Sequence, residues 1–380
     1  MTAVAISVGA LVLHAAVLLR WARGWRLARA TKPADPPQPT ALTVLIPARN
    51  EANRLPGLLD DLALQSASVP FSVVLVDDHS TDETAAVAQN HGLARAGRLT
   101  LILNEGKGKK SALLSGLQHV STPWAVTLDA DVRLGAGWAE AWHAQLSRVG
   151  KTVACVAGPV VLQERDANPT LGARLQALDF AAQMGWSAGQ LARGRAGSAS
   201  GANFAFRPAT YPDTRSLGPS GDDTLVVQAL NAAGHKVLWL ADPQARVWTP
   251  GARSLQEWVS QRLRWAGKTR HYPWEAKRTA LWMGTMAALQ WGLIAFAAAA
   301  IDNVSWVWAG TWWGVVTAMN VMYAWPVARE FGVKAGVVDW VVLGVTQPLQ
   351  VPFLLLARTG ALRPWGIASQ PTWKGRTCVP

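Results

Sequence analysis

Two aspartates separated by one alanine, Asp129-Ala130-Asp131, close an apolar run that begins at Trp124. The run Trp124-Ala125-Val126-Thr127-Leu128 has β character, and residues two apart on a strand point to the same side. Asp129 and Asp131 are therefore expected to project together from the end of a buried strand, where open α/β sheets place their ligand crevices. Two carboxylates held that close raise each other's pKa unless a cation lies between them. Their oxygens suit Mg2+ or Mn2+ carried with a phosphorylated substrate. The spacing alone fits a polar loop as well, so the other polar clusters decide.

Asp77-Asp78 closes a second apolar run at residues 71–76, and Pro47-Ala48-Arg49-Asn50-Glu51 follows a first one at residues 42–46. All three segments are expected at one sheet edge. Converging acids of this kind are too costly without a cation or a hydrogen-bonding ligand, and carboxylates accept from a nucleobase N–H or from ribose hydroxyls. Gly106-Lys107-Gly108-Lys109 brings backbone N–H groups and an ammonium within reach of phosphate. Neither GxxxxGK[ST] nor a GxGxxG after the first strand is present, which counts against ATPase and NAD-dependent chemistry.

Asp222-Asp223 follows Gly221 and opens a helix expected over residues 224–233. A helix cap and a first-turn acid would account for the pair structurally. As chemistry, one of them is a general base for an acceptor hydroxyl. In Gln261-Arg262-Leu263-Arg264-Trp265, Gln261 and Arg264 lie one helical turn apart and could face a diphosphate, with Trp265 as an apolar wall for an acceptor. Anchoring to lipid headgroups would satisfy the same composition.

The elements that must position these groups alternate. Strands are expected at 42–46, 71–76, 99–103 and up to Asp129, with helices between them, then a strand at 152–161, a helix at 171–191 and a strand at 236–240. Such alternation argues for a mostly parallel sheet covered by helices. Half of the 380 residues are hydrophobic, Lys and Arg outnumber Asp and Glu 36 to 24, and 21 tryptophans stand against three tyrosines. Basic residues cluster beside apolar runs, and Trp concentrates at membrane–water interfaces, so a membrane is the expected partner rather than nucleic acid. Residues 3–19 are nearly all apolar, and Arg20, Arg23, Arg26 and Arg29 follow them. That asymmetry reads as a retained anchor with its N-terminus outside; His14 within it is anomalous. Apolar runs near 279–301, 304–328 and 335–356 are each long enough to span. If all three cross, Arg358, Arg363, Lys374 and Arg376 fall on the outer side, against the positive-inside rule. A re-entrant last segment broken at Pro348 and Pro352 is the alternative. Cys155 and Cys378 cannot build a disulfide framework, and the histidines show no HExxH.

The ordered set PxxNE, DD after the second strand, GK before a helix, DxD, a GDD-type acid and QxxRW resembles membrane-bound family 2 glycosyltransferases of the GT-A fold, over about residues 42–265. The resemblance implies an α/β catalytic domain of Rossmann-like type between N-terminal and C-terminal transmembrane helices. The expected parts are an anchor at 1–20, a basic and Pro-rich linker at 21–40, the GT-A domain at 41–250, an interfacial QxxRW helix at 251–278, two to three spans at 279–357 and a basic tail at 358–380. It also implies that Pro47, Ala48, Asn50, Glu51, Asp77 and Asp78 hold the nucleoside, with Lys109 near it. Asp129 then borders the diphosphate, Asp131 ligates Mg2+ or Mn2+, and Asp223 or Asp222 is the base. Gln261, Arg264 and Trp265 contact diphosphate and acceptor. The implied reaction is inverting transfer of a sugar from a UDP- or GDP-linked donor to a membrane lipid, on a multi-pass cell-membrane protein with its catalytic domain in the cytoplasm. A small processive polysaccharide synthase and a non-catalytic membrane protein on the same scaffold are the competing readings.

Overall fold

The computed structural model describes residues 2–31, 36–38, 40–65, 69–162, 168–195, 197–214, 221, 223–367, 372–373 and 376–377. Its strands are β1 (Leu42–Ala48), β2 (Phe71–Asp77), β3 (Leu99–Leu103), β4 (Trp124–Thr127), β5 (Arg133–Leu134), β6 (Val153–Ala157), β7 (Val160–Leu162), β8 (Phe204–Phe206), β9 (Lys236–Trp239) and β10 (Val247–Thr249). The helices of the catalytic part are α2 (Leu55–Ala63), α3 (Thr84–Asn90), α4 (Gly92–Arg95), α5 (Lys109–Leu117), α6 (Trp138–Leu146), α7 (Leu171–Leu191), α8 (Thr224–Ala232) and α9 (Leu255–Gly267). Around them run α1 (Thr2–Ala30), α10 (Trp274–Ala300), α11 (Asn303–Glu330) and α12 (Val337–Thr359).

Seven strands form one sheet in the order β3-β2-β1-β4-β8-β6-β9. β1 is buried at every position and pairs in parallel with β2 and β4, with Leu42 opposite both Phe71 and Trp124. β8 alone runs antiparallel to its two neighbours, β4 and β6. The sheet is therefore mostly parallel, and its carboxyl edge carries the loops after β1, β2 and β4. Helix α5 lies close against it: a Cβ on Gly116 would run into Leu45 and Val76.

Three local expectations change. Pro47 and Ala48 belong to β1 rather than to the turn after it. Strand residues present their N–H to alternate sides, so the side of Pro47 that lacks a donor is the one where Leu45 pairs with Thr127, the last residue of β4. A proline is tolerated there because the neighbouring strand has ended. The strand expected at 152–161 is two strands in different sheets, since β7 pairs with β10 and β6 with β8 and β9. The break falls at Gly158-Pro159, where a Cβ on Gly158 would meet Asn203 and Trp142. Finally, β4 stops at Thr127, so Asp129 and Asp131 sit on the turn after the strand and not on it.

Among the described residues, three helices are long and apolar enough to cross a membrane: residues Ile6–Ala30, Ala276–Ala300 and Val337–Thr359. α11, with five tryptophans and Asn320, is not one of them, although it is 28 residues long. α1 continues past its apolar run to Ala30, where no Gly-Pro signal stops it and packing supports it. Its Gly24 meets Gly189 of α7, Trp25 stacks on Phe331 and Arg29 pairs with Glu330 at 2.9 Å. The anomalous His14 is fully buried: Trp282 Nε1 donates to its Nδ1 (3.2 Å), and its Nε2 donates to Asn320 Oδ1 (3.0 Å). An indole can only donate and a carbonyl oxygen only accept, so His14 is the neutral Nε2–H tautomer that ties α1 to α10 and α11.

Candidate functional site

The turn after β1 carries Asn50 in the left-handed region (φ 52°), a conformation Asn accepts more readily than most residues. There its Oδ1 accepts from Thr81 N at 2.8 Å and its N–H donates to Ser80 Oγ at 3.0 Å. Glu51, buried, donates its N–H to Thr84 Oγ1 at 2.8 Å. The loops after β1 and β2 are thus bonded to each other. Asp77 closes the second of them by accepting from Ser80 N (3.3 Å).

Asp78 lies deeper than expected of a crevice acid. It is 1 % exposed, and its carboxylate accepts from Asn104 Nδ2 (2.7 Å) and Gly108 N (3.0 and 3.1 Å). Arg49 braces the same corner by donating to the carbonyls of Asp78 and His79, each at 2.7 Å. Asp78 therefore holds the glycine loop in place, and Gly108 takes φ 91° as the chain enters α5. The next residue, Lys109, reaches across to Asp129 with Nζ 2.6 Å from Oδ1.

Each aspartate of the DxD turn has a basic side chain beside it. Asp129 pairs with Lys109, whereas Asp131 faces Arg54 at 3.4 Å. The turn carries the two carboxylates to different partners because neither is on the strand. Among the described residues, no three His, Cys, Asp or Glu side chains converge on a metal position.

Asp223 caps α8 by accepting from Thr224 N (2.5 Å), and its other oxygen accepts from Gly201 N (3.3 Å). Lys268 Nζ is 3.1 Å from Oδ1. Burial pushes this carboxyl up, but the charges of Lys268 and then Lys109 outweigh it and hold it down at about 2. Burial, followed by the Asp223 carboxylate, pushes the phenol of Tyr272 up, so Tyr272 stays protonated. Asp222 lies outside the described residues.

The QxxRW segment forms the middle of α9, whose start is capped by Ser254 accepting from Glu257 N (3.1 Å). Trp265 packs on Phe180 of α7 at 5.7 Å between ring centroids. Gln261 Oε1 is buried with no hydrogen-bond partner. Sequence reasoning passed over Arg262, which is buried, pairs with Asp179 of α7 at 2.7 Å and lies against the rings of Trp258 (5.6 Å) and Trp265 (5.0 Å). Lys268 was also missed, although it lies one turn beyond Trp265. Asn203 was invisible as well. Its Oδ1 accepts from the indoles of Trp138 (3.2 Å) and Trp142 (3.1 Å), and its Nδ2 donates to the carbonyls of Pro159 (2.9 Å) and Ala245 (2.8 Å). That hub fixes the turn from which Gly201 reaches Asp223.

The loops after β1, β2 and β4 thus meet at one sheet edge, Lys109 links Asp129 to the surroundings of Asp223, and Lys268 joins Asp223 to the end of α9. Such an edge on a mostly parallel sheet is the setting of a nucleotide-binding α/β protein. The same architecture occurs in a mannosyltransferase from Pyrobaculum calidifontis solved in complex with GDP-Man and Mn2+, which is 19% identical, with 86% of this chain and 97% of that one covered at a TM-score of 0.50; it shares the GT-A fold. Residues 43–201 match the model of glycosyl transferase family 2. The 4,4'-diaponeurosporenoate glycosyltransferase of Staphylococcus aureus (strain MRSA252) is 39% identical over 92 residues, and the one of strain USA300 matches to the same extent. That match covers 24% of this chain and 24% of each relative.

Proposed function

We propose that this chain transfers a sugar, with inversion, from a UDP- or GDP-linked donor to a hydroxyl of a membrane lipid. One observation carries the reading: Lys109 and Lys268 flank Asp223 at the carboxyl edge of the sheet, directly beside the helix that carries Gln261, Arg264 and Trp265. Two ammonium groups and a guanidinium suit a leaving diphosphate, and the single acid between them suits a base. The unpartnered Gln261 Oε1 is a buried acceptor that costs about 1–3 kcal/mol until a ligand donor reaches it. A sugar hydroxyl supplies that donor.

As it stands, Asp223 is too weak a base for an alcohol. Donor phosphates compete for Lys268 and Lys109, and drawing them away raises the carboxyl into a range where it accepts the acceptor proton. The hydroxyl then attacks the anomeric carbon from the face opposite the diphosphate. A Mg2+ or Mn2+ ion fits the acid set, because Asp131 and Asp129 offer hard oxygen ligands and the diphosphate offers the remainder. When bound there, such an ion would supply positive charge to offset that of the leaving diphosphate. The Pyrobaculum protein was solved with Mn2+ and GDP-Man, and the named substrate of the Staphylococcus relatives supports a lipid acceptor. The helices long and apolar enough to cross a membrane support delivery of that acceptor from the bilayer.

The test incubates membranes containing the full chain with radiolabelled UDP- and GDP-sugars. Label is expected as one sugar on a solvent-extractable lipid, dependent on a divalent cation and lost in Asp223→Asn and Asp131→Ala. A ladder of polymer would favour the processive reading. Full activity of Asp223→Asn would remove the assigned base.

A further inference from the structure

Helix α12 is long and apolar enough to cross a bilayer, yet both of its ends are held against the catalytic domain. At its start, Asp339 is bound by Arg174 at the beginning of α7, with Nε 3.0 Å from each carboxylate oxygen. At its far end, Phe353 packs on Trp258 at 6.3 Å, and Ala357 is buried with Val259 and Leu263 of α9. After the helix, Leu362 and Ile367 join the same cluster. α9 is itself fixed to α7 through Arg262–Asp179 and Trp265–Phe180. From Asp339 to Ala357 the helix rises about 27 Å, close to the ~30 Å of a hydrocarbon core. A crossing along the membrane normal would carry Ala357 to the opposite surface, out of reach of α9.

The expected break at the prolines is absent. Pro348 and Pro352 lack the N–H groups that would bond the carbonyls of Gly344 and Pro348. Those are the two carbonyls that receive indole donors: Trp313 Nε1 to Gly344 O at 3.0 Å and Trp291 Nε1 to Pro348 O at 3.1 Å. The helix is thus continuous and docked on α10 and α11 through its middle, and every backbone group the prolines orphan is satisfied without water.

We propose that α12 is a re-entrant segment that lies obliquely in one leaflet and returns the chain to the catalytic side. Its exposed face, with Val341, Val345, Leu349 and Leu356, takes the acyl chains of that leaflet. Arg358, Arg363 and Arg376 then share a side with Lys277, Arg278, Arg329 and Lys334, and the positive-inside rule is met by these residues. The inference rests on insertion of the chain through α1 and α10 and on return through α11, which at 28 residues is long enough to cross although less apolar than they are, and not on which sugar or acceptor is used.

The tail carries its own reporter, Cys378, while Cys155 is buried and its thiol is pushed up by burial, so it stays silent in the folded chain. The full chain in inverted and right-side-out vesicles is treated with a membrane-impermeant maleimide. Reference cysteines are placed in a Cys378→Ala background at exposed Arg148 of the catalytic domain and at exposed Asn303, the first residue of α11. A second tail reporter, Ala361→Cys, covers the case of an unreactive Cys378. Labelling of the tail reporters in the same vesicles as Arg148→Cys, with Asn303→Cys labelled only in the other orientation, is the expected result. Tail labelling together with Asn303→Cys overturns re-entry. Labelling of Asn303→Cys from the catalytic side overturns both re-entry and the membrane insertion beneath it.

Discussion

Replacing Lys268 by methionine tests the centre of the site. The substitution keeps most of the side-chain volume and removes the charge 3.1 Å from Asp223. The ammonium of Lys268, and then that of Lys109, holds the Asp223 carboxyl down at about 2 against the upward pull of burial. Breaking a buried pair from one side costs about 3–5 kcal/mol in general, so Lys268→Met is expected to lose a few kcal/mol near neutral pH. The sign with pH follows from the depressed carboxyl. Its contribution is complete above the ordinary carboxylate value and is lost as pH falls from about 4 toward 2. In Lys268→Met the carboxyl titrates at a higher pH, so the acid limb of both stability and activity moves upward. Thermal unfolding in detergent between pH 4 and 8 reads the first, and nucleotide release reads the second. The double variant Lys268→Met with Asp223→Asn leaves no buried charge and is expected to melt above the single Lys268→Met variant. Wild-type melting of Lys268→Met, or a double variant that loses the sum of the two singles, would refute the argument.

Two further outcomes are expected. Arg262→Met removes the ion-pair partner of Asp179, leaves it the amide of Gln183 (2.8 Å) and loosens α9 from α7; the expected result is a raised KM for the donor and a lower kcat. Asp179→Asn with Arg262→Met should restore thermal stability but not the KM, since α9 still lacks its anchor. Trp291→Phe leaves the carbonyl of Pro348 without a donor and is expected to cost about 1–3 kcal/mol. The control, Trp306→Phe at a half-exposed position, should melt like the unmodified chain.

Much of the frame was legible in the residues. The strand at 99–103 and the helix at 171–191 fall where apolar periodicity and turn residues put them, because those signals are local. The fold class follows from the strand–helix alternation and the ordered polar motifs at strand ends, and sheet topology places those ends at one edge. What the pattern misread was chain direction at single residues. A strand was carried two residues too far at Asp129, and Gly158-Pro159 was read through although it separates two sheets. An apolar run shows that a segment is buried but not where its hydrogen bonding stops.

The charge pairs were legible only as residue types. Lys109 with Asp129, Arg54 with Asp131, Lys268 with Asp223 and Arg262 with Asp179 join parts of the chain that no local spacing relates. The same is true of the indoles on the carbonyls behind Pro348 and Pro352. Sequence determined that there are acids at strand ends, a basic Trp-bearing helix and apolar segments of membrane length, since each depends on near neighbours. Tertiary structure decided which cation lies beside each acid and where the two ends of α12 dock, because both depend on where distant elements end in space.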